Sequence, residues 1–264
     1  MAIFMQGCNF SCSNCHNPET MGLCTHCGDC LPACESQALS FDLTGKIQWN
    51  EAACTQSDAC IKICPINASP KILELSSLDL IKRIKDNAAF INGITFSGGE
   101  VTLQHRFLYE FLNDFSQCTD LNHLDCMIDS NGFTTEKTWE KIIPHISGAM
   151  IDLKSWSDDV HKKITSQSVL PVLKSIEFLA QHNKLEEVRL LPIKGITDYQ
   201  DHLEALVSFL AALPQRPAIR INAFTPHNSV KLDHPATTEA EINLIASQIQ
   251  KLGYHNLRLP AIYL

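Results

Sequence analysis

Three cysteines near the start of the chain have a spacing that suits an iron–sulfur cluster. They are Cys8, Cys12 and Cys15, and they follow the apolar segment 2–5. One short loop with this spacing can place three thiolates at three corners of a cubane, whereas most clusters are held by four cysteines. The remaining iron then keeps a position open for a substrate or cofactor, as a catalytic zinc does. The alternative is a zinc site with His16 as its fourth ligand, but zinc signatures use other spacings.

Seven further cysteines lie between residues 24 and 64 in two similar groups. The first group has the x2-x2-x3 spacing of a bacterial ferredoxin, and the second keeps that spacing with Ser57 in the place of a cysteine. In ferredoxins the fourth cysteine of a group ligates the other cluster. The expected sets are Cys24, Cys27, Cys30 and Cys64 for one cluster, and Cys34, Cys54 and Cys60 for the other. Two zinc sites are the alternative, but the regular spacing and the proline after Cys64 favour clusters.

The first cysteine loop resembles the cluster motif of radical S-adenosylmethionine (SAM) enzymes. Its extension Cys15-His16-Asn17-Pro18-Glu19-Thr20 is similar to that of the activating enzymes of glycyl-radical enzymes. The resemblance implies a [4Fe-4S] cluster on Cys8, Cys12 and Cys15 whose open iron is chelated by the amino and carboxylate groups of SAM. The chain departs from the family pattern at Asn14, a position that is commonly aromatic or aliphatic.

From about residue 76 onward, apolar strands alternate with amphipathic helices, a pattern that is typical of parallel sheets and barrels. Strands are predicted at 1–6, 93–96, 124–128, 149–151, 188–191 and 219–223, and helices at 76–89, 103–117, 134–145, 169–182, 199–213 and 237–252. We expect an α/β fold, a partial (β/α)6 TIM-like barrel of the radical SAM type with an inserted two-cluster ferredoxin-like domain. The first strand and SAM-cluster loop occupy residues 1–22, the insert 23–72 and the rest of the barrel 73–264. Within the insert, segments 38–41 and 46–49 read as a hairpin around Thr44-Gly45.

Ligands in such folds bind at the carboxyl ends of the strands, so the residues after each strand are candidates for binding. Three strands are followed by Ser97-Gly98-Gly99-Glu100, Asp129-Ser130 and Asp152-Leu153-Lys154. Taken alone, these are a strand-to-helix turn, a helix N-cap and a surface ion pair. The resemblance implies that Ser97–Glu100 contacts the SAM amino group and that Asp129 lies by the SAM carboxylate through a bound cation. It also makes Lys154 the partner of that carboxylate, with Asp152 beside it.

The strands after residue 185 are less informative. Arg189 faces either the cavity or solvent. Relatives often place a SAM-contacting histidine after the sixth strand, where this chain has Thr225, with His227 two residues later. The sequence leaves open which of the two, if either, contacts SAM.

Composition narrows the classes of function. The chain has 264 residues and a formal net charge of −8, which disfavours nucleic-acid binding because that needs clustered basic surface. We find neither an apolar run long enough to span a membrane nor a secretory signal. Ten of the twelve cysteines fall at metal-cluster spacing between Cys8 and Cys64. This usage fits a reducing cytoplasm rather than a disulfide-rich secreted domain.

The resemblance implies an oxidoreductase that cleaves SAM reductively and whose radical abstracts hydrogen from a glycine of a partner enzyme. Over most of its length the chain looks most like the YjjW branch of this family, which carries a two-cluster ferredoxin insert. The expected partners are a glycyl-radical enzyme and a flavodoxin- or ferredoxin-type electron donor. A radical SAM enzyme acting on a small molecule would share every motif quoted. An electron-transfer protein would need only residues 23–70 and would leave the first cysteine loop unexplained.

Overall fold

The computed structural model of the protein describes residues 1–226 and 232–260. The strands of this part of the chain are β1 (Ala2–Met5), β2 (Leu39–Phe41), β3 (Ile47–Trp49), β4 (Gly93–Gly98), β5 (Asp125–Ser130), β6 (Gly148–Asp152), β7 (Leu185–Leu190), β8 (Ala218–Ile221) and β9 (Leu257–Arg258). The α-helices are α1 (Ala59–Lys62), α2 (Ser77–Asn87), α3 (His105–Ser116), α4 (Glu136–Ile142), α5 (Asp158–Thr165), α6 (Leu170–Gln181), α7 (Leu203–Ala212) and α8 (Glu239–Lys251). None of these helices combines the length and apolar character that a membrane crossing requires.

The main sheet has seven strands in the order β1-β4-β5-β6-β7-β8-β9, and every neighbouring pair is parallel. All six strands predicted for this sheet and all six predicted helices are present, so the α/β class with a parallel sheet is confirmed. The structure adds three elements that the sequence patterns did not predict, the short helix α1, helix α5 and the short strand β9.

The two faces of the sheet have different environments because strand side chains alternate between them. Ile94, Phe96 and Ile128 are almost completely buried and belong to the main core with the helices. The intervening residues, such as Thr95 and Met127, are only half-buried. We call their side of the sheet the inner face. Polar side chains near the ends of its strands therefore reach into open space.

Two helices begin with a capping box, which fixes where the chain leaves the preceding loop. At α2 the side chain of Ser76 accepts a hydrogen bond from the Asp79 amide, and the Asp79 carboxylate accepts one from the Ser76 amide. At α8, Thr238 and Glu241 make the same reciprocal pair. The buried positions of α2 recur at helical spacing, so its apolar side joins the main core, where α2 contacts α3.

The segment between β1 and α2 contains ten of the twelve cysteines and a separate hairpin. Strands β2 and β3 pair antiparallel, and the turn between them includes Gly45 with a φ of +82°. The predicted hairpin is therefore confirmed. A small cluster of buried residues, distinct from the main core, supports this segment and consists of Cys30, Leu39, Ile47 and Cys60.

The end of β4 lies unusually close to β1 and to the loop that follows it. The amide of Gly99 donates to the carbonyl of Met5 at 2.8 Å, and the amide of Glu100 donates to the carbonyl of Gly7 at 2.7 Å. A Cβ on Gly98 would lie 2.5 Å from the Met5 nitrogen, and one on Gly99 would lie 2.1 Å from the Gly7 carbonyl oxygen. Both positions therefore require glycine, because backbone atoms occupy the space of a side chain.

The substitution Gly99→Ala tests this close approach. Because the Gly7 backbone has to move, we expect the free energy of unfolding to fall by more than about 2 kcal/mol. The matched control is Gly45→Ala, which also replaces a glycine but has no atom within 4 Å of the added Cβ. Its positive φ should cost about 1–2 kcal/mol. Urea denaturation measures both, and a loss for Gly99→Ala no larger than the control's would contradict the packing argument.

Candidate functional site

A cavity of about 380 Å³ opens at the carboxyl ends of the strands in the main sheet. That volume is in the range of small-molecule sites. The three cysteines of the first loop line this cavity. So do seven of the eight predicted SAM-binding residues, which are Ser97, Gly98, Gly99, Asp129, Ser130, Asp152 and Lys154. Glu100 is the exception.

The cysteine loop is fixed in place by the unpredicted helix α5. The Ser11 amide donates to the carbonyl of Thr165 at 3.0 Å, and the Ser13 amide donates to that of Ile164 at 3.4 Å. Phe10 is buried and packs edge-on against Phe133, with ring centroids 5.7 Å apart. These contacts hold the loop while its cysteine side chains face the cavity.

The thiols have surroundings that suit a bound iron–sulfur cluster. The Phe10 amide donates to the Cys8 sulfur at 3.4 Å. Burial raises the pKa of the Cys12 thiol to about 12, and the positive charge of Lys154 opposes that rise. Ligation requires the thiolate, so a nearby cation and amide donors both favour it. No three metal-ligating side chains in residues 1–226 and 232–260 converge on one point as they would around a single ion.

The side chain of Asn14 also indicates that the cavity can accommodate a polar group. Its side chain is 3% exposed and lines the cavity. The Nδ2 donor has no hydrogen-bond partner in the described part of the chain. An unpaired buried donor is destabilising, so a bound group with an acceptor at this place would satisfy it.

Glu100 lies beneath the cavity and not at its surface. Its side chain is fully buried and accepts four hydrogen bonds, from the amide and hydroxyl of Thr102, the hydroxyl of Ser130 and the amide of Asn131. Burial raises the pKa of Glu100, and these four donors oppose the rise. The carboxylate thus joins the end of β4 to the end of β5. Its side chain therefore holds these two strand ends in position. Contact between the Ser97–Glu100 segment and SAM stays a prediction.

Four charged groups alternate in sign across the cavity wall. Lys154 Nζ lies 2.7 Å from Asp152 Oδ2, and Arg189 Nη1 lies 2.9 Å from Asp129 Oδ1. Burial opposes the charge on Lys154, but the Asp152 carboxylate and the nearby Cys12 and Cys15 sulfurs together outweigh it and raise the pKa of the amine. Burial and the charge of Asp152 raise the pKa of Asp129, while Arg189 lowers it. The wall therefore offers paired cations and carboxylates, which can bind a zwitterionic ligand.

The insert contains two smaller cavities, each lined by one of the predicted cysteine sets. Cys24, Cys27, Cys30 and Cys64 line the first. Cys34, Cys54 and Cys60 line the second, together with Ser57. Cys60 also reaches the first cavity. The two sets of cysteines therefore line different cavities with Cys60 shared between them, and the exchanged ferredoxin pattern stays a prediction.

The pattern of the radical SAM superfamily matches residues 2–210 of the chain. This protein belongs to the radical SAM superfamily. Among curated relatives, the 4-hydroxyphenylacetate decarboxylase activating enzyme of Clostridioides difficile is 31% identical over 229 residues, which cover 79% of this chain and 71% of that protein. The isethionate sulfite-lyase activating enzyme of Desulfovibrio desulfuricans is 25% identical over 80% of this chain and 73% of that protein.

A solved structure shows the same fold. A domain of the pyruvate-formate lyase-activating enzyme of Bacteroides vulgatus superposes with a TM-score of 0.53 at 20% identity, covering 64% of this chain and 99% of that domain. The predicted membership of a family of radical SAM activating enzymes, which are oxidoreductases, is confirmed by these relatives.

The sequence left open the roles of three further residues, which are Arg189, Thr225 and His227. Arg189 lines the cavity, so the alternative of an exposed strand residue is wrong. Thr225 is exposed and is not among the lining residues, whereas the nearby Asn222 is. His227 lies outside the described residues.

Sequence reasoning missed a cluster of charges centred on Glu187. This carboxylate is 3% exposed and pairs with Arg189 at 3.0 Å, with Arg220 at 3.1 Å and with Arg258. Arg189, Arg220 and Arg258 are neighbours in register on β7, β8 and β9. Like charges in adjacent register destabilise a sheet, so a shared carboxylate is needed to stabilise the row. The only available signal was the presence of charges in otherwise apolar strands.

Glu187→Gln should lower the free energy of unfolding by about 1–3 kcal/mol, because the three guanidiniums lose their shared counter-charge. Burial favours the neutral acid, but hydrogen bonds from Arg189 and Arg258 hold the pKa of Glu187 below its ordinary value. A depressed pKa stabilises the fold above the ordinary value of 4.5, and that contribution is lost as the pH falls through the folded-state pKa.

Urea denaturation of both forms at pH 7 and near pH 3 measures this difference. The gap between the wild type and Glu187→Gln should be large at pH 7 and should shrink at the lower pH. Glu186→Gln, which changes the neighbouring residue in the same strand, is the matched control. A gap that stays constant with pH would contradict the assignment of the stabilisation to the Glu187 charge.

Proposed function

We propose that the protein activates a glycyl-radical enzyme by installing the radical on a glycine of that partner. The observation that carries the proposal is the single cavity that gathers Cys8, Cys12 and Cys15 with the Asp152–Lys154 pair at the strand ends. A [4Fe-4S] cluster and SAM bound there would supply reductive cleavage of SAM to methionine and a 5′-deoxyadenosyl radical, which abstracts hydrogen from the glycine.

The chain's own residues bind and orient in this scheme. Cys8, Cys12 and Cys15 would hold the cluster and leave one iron without a protein ligand. Lys154 is the cation that would face the SAM carboxylate, with Asp152 beside it. The two glycines at the end of β4 leave backbone at the cavity surface, so a ligand can approach closely.

The same residues give the reaction a protected site. The cavity lies where an open, partial barrel would place its ligand, on the inner face of the sheet at the strand ends. Phe10 and the loop packed on α5 cover one side of it. A carbon radical needs such shielding from solvent. No side chain has to act as acid or base.

Residues 23–72 act, in this proposal, as a ferredoxin-like insert of the kind found in the YjjW branch. The support is the grouping of its cysteines into two sets around two cavities. Another cavity lies between the first cysteine loop and the residues directly after Cys64-Pro65, and it is lined by Cys12, Cys15, Ile66 and Asn67. The insert therefore lies next to the SAM-cluster loop and would pass electrons to it from a flavodoxin or ferredoxin.

Relatives name the class of partner. The matched proteins of Clostridioides difficile and Desulfovibrio desulfuricans are activating enzymes of a decarboxylase and of a sulfite-lyase. We infer a partner of the same general class, a glycyl-radical enzyme, and leave its reaction unassigned. The gene neighbourhood is the place to look for it.

The substitution Cys12→Ala tests the proposal. Supplied anaerobically with SAM, a strong reductant and the partner, the wild type should release 5′-deoxyadenosine and produce a glycyl-radical EPR signal. Cys12→Ala should abolish both, since the SAM-site cluster loses a ligand, while the iron of the insert remains.

Cys118→Ala is the matched control. Cys118 follows helix α3 and donates to the Asp114 carbonyl at 3.4 Å, away from all the cysteine-lined cavities. It should retain the wild-type yields. SAM cleavage that persists unchanged in Cys12→Ala would contradict the assignment of the SAM-site cluster to this cysteine loop. Cleavage without any radical on the partner would leave a radical SAM enzyme with a different substrate.

A further inference from the structure

The second cavity of the insert has an incomplete set of thiols. Cys34, Cys54 and Cys60 line it, and Ser57 lies where the repeat of the spacing would place a fourth cysteine of the group. Cys64, the trailing cysteine of that group, lines the other cavity. A four-iron cluster in the second cavity would therefore lack one thiolate.

Two buried groups indicate that this cavity binds a negatively charged group. Trp49 lines it, and its indole Nε1 donor is buried without a partner among the described residues. The side chain of Lys71 is only 11% exposed and also lines the cavity. Donors and positive charge around the sulfur ligands are what a negatively charged cluster requires.

Two of the neighbouring oxygen groups, those of Asp58 and Ser36, are engaged elsewhere. The carboxylate of Asp58 lies 2.5 Å from Lys71 Nζ. The hydroxyl of Ser36 lies 3.7 Å from the sulfur of Cys34, to which it can donate. Ser57 makes no side-chain hydrogen bond within the described residues. Thr55 also lines the cavity, and Ser57 is distinguished from it by its place at the cysteine position of the repeated spacing.

We propose that this cavity holds an iron–sulfur cluster on three thiolates, with Ser57 facing the fourth iron, and that this iron is labile. The proposal rests on the assignment of the insert as iron–sulfur binding made under the proposed function. Serine oxygen is a harder donor than thiolate and its proton is far less acidic, so it binds this iron more weakly. The cluster on Cys24, Cys27, Cys30 and Cys64 has a full set of thiolates and should keep all its iron.

The test compares iron retention in the full chain carrying Cys12→Ala, so that the insert supplies the signal. After anaerobic reconstitution, wild-type Ser57, Ser57→Cys and Ser57→Ala are exposed to air and a chelator. The Ser57 form should lose about one iron per chain and develop the EPR signal of a three-iron cluster. Ser57→Cys should slow that loss at least about tenfold, and Ser57→Ala should lose the iron at least as fast as the Ser57 form.

Equal iron content, EPR spectrum and rate of loss in the Ser57 and Ser57→Cys forms would overturn the proposal. So would Ser57→Ala retaining iron more firmly than the Ser57 form. If Ser57→Cys does not fold, Cys54→Ala decides whether the cavity holds a cluster, because it should remove the whole second cluster. An insert without any iron would remove the iron–sulfur assignment itself, while leaving the Cys12→Ala test of radical formation independent.

The substitution Trp49→Phe tests whether the indole N–H acts on the second cluster or only supports the fold. Hydrogen bonds to cluster sulfurs are among the features that set reduction potential. Loss of the indole donor should therefore make the potential of the second cluster more negative. The potential of the first cluster is the internal control, since Trp49 does not line that cavity. An unchanged second potential in Trp49→Phe would contradict the placement of the donor on the cluster.

Discussion

The architecture of the site depends on the close approach of the end of β4 to β1 and to the loop after it. The backbones of Gly98 and Gly99 occupy space that any side chain would fill, and Glu100 then enters the core directly behind them. The Glu100 carboxylate accepts from the end of β5, so the two strand ends and the cysteine loop share one rigid support. A buried carboxylate is stable only when fully hydrogen-bonded, and here that requirement keeps the cavity wall in register.

The charges on the inner face follow from the same constraint. Helices cover one face of the sheet, which leaves Asp129, Asp152 and Arg189 reaching into the cavity as the polar side of their strands. Each is half-buried, and each is paired with an opposite charge. A removed partner would leave an uncompensated charge. The wall is therefore organised as a network before any ligand binds, and such preorganisation favours a ligand that carries both signs of charge.

Local patterns in the sequence predicted the elements that have strong periodicity and the residues that follow them. Helices such as α3 and α6 repeat apolar residues over three turns, so their existence was readable. Helix α5 buries His161, Ile164 and Thr165, of which only Ile164 is apolar, so it shows no apolar period, and β9 has two residues, too few for alternation to register. The burial of Glu100 could not be predicted from the sequence either. A motif shows which residues occur together but not which of their side chains point into the core. The row of arginines on β7, β8 and β9 needed the strand register, which only the fold supplies.

The SAM-cluster loop and the second cavity of the insert pose the same problem of coordination in different surroundings. Each has three cysteines and no fourth. In the SAM-cluster loop the missing ligand faces a large cavity with paired charges, so a small molecule can take its place. In the insert the missing ligand faces a serine in a narrow space beside Trp49 and Lys71. Only the first position has room for a small molecule beside a cluster, so the proposed roles differ. The first would bind SAM, and the second would set how firmly and at what potential an electron-carrying cluster is held.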